Sequence, residues 1–139
     1  MESRAEILYE TYAKTINIEA LTMIDMANKQ IIPAVIRYTK DLADTVISVK
    51  NAGADPFVTE ELLKATTAKL KEMKAACEHL AESEAKASAM PRGKEQAFYY
   101  REEIVTAMEK LRKPADELEG IVGKEYWPFP TYADLIFEV

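Results

Sequence analysis

Apolar residues recur every three or four positions from Ala5 through Leu8, Tyr12, Ile16, Ala20, Met23, Ala27, Ile31, Val35, Tyr38, Leu42 and Val46 to Val49. That spacing predicts one long helix over about 3–50 with a continuous face to bury. Two later stretches repeat every seven residues. Leu63, Leu70 and Cys77 lie on one seam with Thr66, Met73, Leu80 and Ala87 on the other, and then Ala97, Ile104, Leu111 and Leu118 run beside Met108, Ala115 and Val122. These predict a second helix over about 59–87, capped by Thr59, and a third over about 94–122. The breaks between them are 51–57, with Gly53 and Pro56, and 88–93, with Pro91 and Gly93. Both are short enough to make neighbouring helices antiparallel. Pro33 and Pro114 fall inside helical patterns that continue past them, and bends are expected at both. The expectation is an all-α chain: a single helical domain over 1–139, folded as an elongated antiparallel three-helix bundle with a long hairpin.

The stretch 124–139 differs in kind. Tyr126, Trp127, Phe129, Tyr132 and Phe137 are five of the twelve aromatics, and Pro128 and Pro130 forbid a regular helix through them. It reads as an extended aromatic-proline clamp, with Thr131 able to cap one short turn from Tyr132 to Phe137.

The first helix also carries a second apolar stripe nearly opposite the first. Ile7 and Ile18, Leu21 and Ile32, and Ile36 and Ile47 are each eleven residues apart, nearly three whole turns, so each pair shares an azimuth. A hairpin of two further helices covers one side of the first. The second stripe is therefore expected to meet the tail, another subunit or the remainder of a larger protein, unless it is the third neighbour in a compact bundle.

Composition narrows the chemistry. Twenty alanines, four glycines and 30% charged residues favour helices over strands, and 24 acidic against 18 basic side chains give a net charge of -6, which argues against nucleic-acid binding. No run of about 18 uncharged apolar residues suggests a membrane span. With one cysteine, no internal disulfide is possible, and a cytoplasmic setting is the expectation. His79 follows Glu78 directly, whereas metal sites in helical bundles use Glu-x-x-His; with one histidine and one cysteine, no zinc or nucleophile pair is expected. Cys77 reads as a small buried hydrophobe and His79 as a solvated histidine. Glu60, Glu61, Glu82, Glu84, Glu102, Glu103, Glu117 and Glu119 alternate with lysines as solvated faces do. The scattered glycines form no phosphate loop, and the five arginines do not converge as a helical mutase of dicarboxylates would need. No catalytic, cofactor-binding or metal residue is expected in this chain.

Two blocks carry a resemblance. Tyr12-Ala-Lys-Thr-Ile-Asn-Ile-Glu-Ala-Leu-Thr-Met-Ile-Asp-Met-Ala27 with Gln30-Ile-Ile-Pro-Ala34, and Glu125-Tyr-Trp-Pro-Phe-Pro-Thr-Tyr-Ala-Asp-Leu-Ile-Phe137, look like the C-terminal region of type III glutamine synthetases. Tyr100-Arg-Glu and Ala107-Met-Glu-Lys-Leu-Arg112 resemble it too, so the likeness extends over essentially the whole chain. It departs at Ala133, where the family has glycine. The resemblance implies a non-catalytic helical segment of a large, ring-forming ligase that joins ammonia to glutamate with ATP, with Met1 standing where a longer chain is cut. In that family ATP and its magnesium or manganese ions are held by the preceding catalytic domain. The second stripe and the tail supply the candidate interaction residues, Ile7, Ile18, Leu21, Ile32, Ile36, Ile47, Tyr126, Trp127 and Phe129, and the resemblance implies the catalytic domain and neighbouring subunits as partners. The alternatives are a free-standing helical adaptor or sensor that binds a partner helix, and a small helical enzyme.

Overall fold

The computed structural model describes residues 4–129. All regular structure among them is helical, in three rods. The first rod, 4–51, is built from Arg4–Met26, a π-helical turn Ala27–Ile31 and Ile32–Asn51. The second is the unbroken helix Phe57–Ala89. The third, 94–121, joins Lys94–Tyr99, a π-helical turn Tyr100–Ile104 and Val105–Ile121. At about 1.5 Å per residue the second rod is about 50 Å long. Its packing on the third is the most extensive in the molecule, and the first lies against both. This is the expected antiparallel bundle. Gly53 and Gly93, at the two turns, take φ of 84° and 134°, where a side chain would be strained.

The second rod starts two residues before Thr59. Pro56 takes the capping position, its carbonyl accepting the Glu60 N–H at 2.9 Å, so Thr59 lies in the first turn and does not cap. A rigid proline just ahead of the helix fixes the entry instead.

The rods run through both internal prolines. Pro33 lies two residues past the first π-turn, in which the N–H of Ile32 bonds to the carbonyl of Ala27. A proline ring crowds the carbonyl four residues back, and the wider turn accommodates it. Pro114 lies inside Val105–Ile121 and is itself buried.

The heptad seams form the core. Thr66, Met73, Cys77, Leu80 and Ala87 of the second rod pack with Ala97, Ile104, Met108, Leu111, Leu118 and Val122 of the third, all buried. From the first rod come Ala13, Ala20, Ala27, Ile31, Ala34, Val35 and Leu42. Its earliest stripe positions are corrected: Leu8 is 63% and Tyr12 38% exposed, and Ala13 takes the inward place. Lys69 ties the second rod to the third through Glu117 at 2.6 Å.

Thr131, Ala133 and the closing turn from Tyr132 to Phe137 lie outside the described residues. Within them, the start of the tail turns back on the bundle. Tyr126 N–H bonds to the Gly123 carbonyl at 2.9 Å, which aims the Tyr126 ring at Tyr38, with centroids 5.2 Å apart and planes tilted by 60°.

Candidate functional site

Three features stand out from an ordinary bundle: an apolar face on the first rod, the docked tail and a polar cluster inside the core.

The apolar face is exposed at Ile7, Ile18, Leu21, Ile36 and Ile47, each at 50–60%. Ile32 departs from it. It is half-buried and packs against the core. Leu21 and Ile32 are the one eleven-residue pair that spans the π-turn, and a turn closed by an i to i+5 bond takes about one residue more than an α-turn. Counting in α-turns therefore fails across 27–31, and the two members of that pair do not share an azimuth.

The tail residues Tyr126, Trp127 and Phe129 are half-buried against the core. Trp127 and Phe129 close a small apolar cavity of about 230 Å3 with Met23, Ala27, Met73 and Ala115. The Tyr126 hydroxyl donates to Asp41 Oδ2, and this bond holds the phenol above its usual pKa. The Tyr38 hydroxyl donates to the Ile121 carbonyl at 3.4 Å. A side chain at Gly123 would meet the Tyr126 ring at 3.3 Å, so a glycine stands just past the third rod where that ring must pass.

The core cluster is the feature that the sequence reading missed. Glu84, read as part of a solvated face, is only 4% exposed. Its Oε1 accepts from the Tyr100 hydroxyl at 3.1 Å and from Asn17 Nδ2, and Asn17 Nδ2 also reaches the Tyr100 oxygen at 3.3 Å. Among the described residues, Glu84 Oε2 is the one buried side-chain polar atom without a partner. Burial raises the Glu84 pKa, and the hydrogen bonds from Tyr100 and Asn17 oppose that rise without cancelling it. Burial likewise raises the Tyr100 pKa. The signal for Glu84 was present: it continues the seam of Leu63, Leu70 and Cys77 by one heptad. For Tyr100 the heptad counted back from Met108 falls on Arg101, which is exposed; the second π-turn, closed by Val105 N–H on the Tyr100 carbonyl, brings Tyr100 inward instead.

Cys77 is buried, as expected, with its thiol 3.7 Å from Asn28 Oδ1 and its pKa raised by burial. His79 is exposed. Among the described residues no group of three or more His, Cys, Asp and Glu side chains could hold a metal ion, and no helix is long and apolar enough to cross a membrane.

These rods and the tail are matched by known proteins. Residues 1–50 match the family described as glutamine synthetase C-terminal domain. Over 99% of its length the chain is 36% identical to a glutamine synthetase of Butyrivibrio fibrisolvens and 29% identical to a type-3 glutamine synthetase of Dictyostelium discoideum. A glutamine synthetase of Bacteroides fragilis is 26% identical over 96% of the chain. The chain spans about a fifth of the length of these relatives, covering 19–20% of each. No solved structure matches it. What the chain is similar to, from end to end, is the C-terminal part of glutamine synthetases, type-3 enzymes among them.

Proposed function

We propose that this chain is the non-catalytic C-terminal helical domain of a type-3 glutamine synthetase, and that it packs the catalytic domain or a neighbouring subunit against its first rod. The parent reaction is the ATP-dependent ligation of ammonia to glutamate in the cytoplasm. ATP and its magnesium or manganese ions belong to the part of the enzyme outside this chain.

The exposed aliphatic side chains of the first rod carry this reading. Ile7, Ile18, Leu21, Ile36 and Ile47 stand at least half exposed, and burying each large aliphatic side chain is worth about 1.5 to 3 kcal/mol. The relatives this chain matches are about five times as long, and on this reading the remaining four fifths of such a protein cover those side chains. Ile32, half-buried already, supports the rod from inside, and Tyr126, Trp127 and Phe129 brace it against the third rod.

The test is to replace Ile18 and Ile36 with Lys in the full-length enzyme and follow assembly by light scattering. Loss of the assembled form, with the helical content and melting of the 139-residue chain unchanged, supports the reading. An intact assembly together with an unfolded chain would make the face ordinary core and overturn it.

A further inference from the structure

At the end of the bundle where the first rod begins, a cleft of about 540 Å3 separates that rod from the turn between the second and third. This lies within the size range of sites for small molecules, roughly 300–1,000 Å3. Its walls include Glu10, Lys14 and Asn17 on one side and Arg92, Gln96 and Tyr100 on the other.

What the walls offer is decided by bonds made behind them. Asn17 Nδ2 is committed inward, to Glu84 Oε1 and the Tyr100 oxygen. Gln96 Nε2 is committed in the same way, to the carbonyls of Ala87 at 3.0 Å and Met90 at 3.3 Å, where the second rod ends. Each amide has therefore turned its nitrogen away and keeps only its carbonyl oxygen to offer. Neither oxygen has a donor among the described residues, and neither is among the buried atoms left without one. The inward acceptors fix this polarity, because the reverse orientation would set the Asn17 oxygen against Glu84 Oε1, which already accepts from Tyr100, and the Gln96 oxygen against the backbone carbonyls of Ala87 and Met90.

The same cleft carries both charges. Lys14 and Arg92 are exposed and make no ion pair among the described residues. A simple anion would answer these cations but share the cleft with the Glu10 carboxylate and the two amide oxygens. A simple amine would answer the oxygens and leave the cations. A zwitterion answers both. We propose that this cleft binds a free α-amino acid, its ammonium on Asn17 Oδ1 and Gln96 Oε1 and its carboxylate on Lys14 and Arg92. The proposal rests on the cleft alone and stands apart from the packing role argued above.

The experiment screens the twenty L-amino acids singly against the 139-residue chain by thermal shift, then measures the strongest binder by calorimetry beside its two truncated analogues. One analogue lacks the amine, the other the carboxylate. The expected result is millimolar or tighter binding of the amino acid, with each analogue weakened at least about tenfold. Lys14→Ala with Arg92→Ala, both at exposed positions, weakens the amino acid to a similar degree and leaves the melting temperature of the free protein unchanged. Absence of binding by every amino acid overturns the proposal. So does binding of the amine-free analogue as tight as that of its parent, which would reduce the cleft to a site for anions.

Discussion

The Tyr100 hydroxyl donates to Glu84 Oε1 at 3.1 Å from the far side of the turn between the second and third rods, sixteen residues along the chain. Asn17 of the first rod completes the contact, so one cluster joins a side chain from each of the three rods at the level of the core.

A pH dependence follows from this burial. The Glu84 pKa is raised in the folded chain, so the folded state holds its proton in a range where the unfolded chain has released it. The stabilisation is complete below the unfolded carboxylate range and is lost as pH rises through the raised folded value. Glu84→Gln keeps an oxygen for both donors and removes the titration. Urea midpoints of the two proteins from pH 4 to pH 8 should diverge, with the Gln variant gaining on the parent as pH rises. Parallel profiles would mean that Glu84 does not titrate differently on folding.

Cys77 should be inert in the native chain. It is 1% exposed and burial holds its thiol above the usual range, so the thiolate that attacks a disulfide reagent is both scarce and shielded. Reaction with Ellman's reagent at pH 8 should be complete only in denaturant. Rapid labelling of the folded protein would contradict the packing.

Core and face should separate under mutation. Leu80→Ala empties a fully buried site and should cost about 2–5 kcal/mol, whereas Ile47→Ser, at 60% exposure, should stay within about 0.5 kcal/mol in the isolated chain. Chemical denaturation of both variants checks the contrast.

The docked start of the tail makes a further expectation. Trp127→Ala should lower stability by roughly 1–3 kcal/mol, below the 3–5 typical of a fully buried ring, because the indole is half-buried. The intact chain should show blue-shifted tryptophan emission. Emission at the wavelength of free tryptophan would place the indole in water.

Most of the bundle was legible because period and punctuation agree. The seams of Leu63 to Ala87 and Ala97 to Val122 name most of the buried residues of the second and third rods, and Gly53 and Gly93 mark the turns. Legibility ended where a polar residue occupies a seam position: Glu84 was read by its charge, although its heptad position placed it inside. It ended also at the π-turns, since i to i+5 bonding leaves no reliable mark in a single sequence; Ile32 was set on the exposed stripe and Tyr100 was passed over as a core residue for that reason. Leu8 and Tyr12 are a third case. Periodicity continues to the end of the first rod, but the second and third rods meet at a turn there and offer less surface to pack on.

The first π-turn has a consequence for how the molecule meets its surroundings. With one residue added to a turn, everything beyond Ile31 is rotated by about 100° relative to an uninterrupted helix. Ile18 and Leu21 on one side of it, and Ile36 and Ile47 on the other, are two patches that look in different directions. A single rod can thus serve as a corner piece, touching two neighbours that do not touch each other. Converting 27–31 to regular α-helix at unchanged length would realign the patches and swing half of the buried face of the rod into solvent, whereas deleting one residue there would straighten the turn and leave both patches where they are.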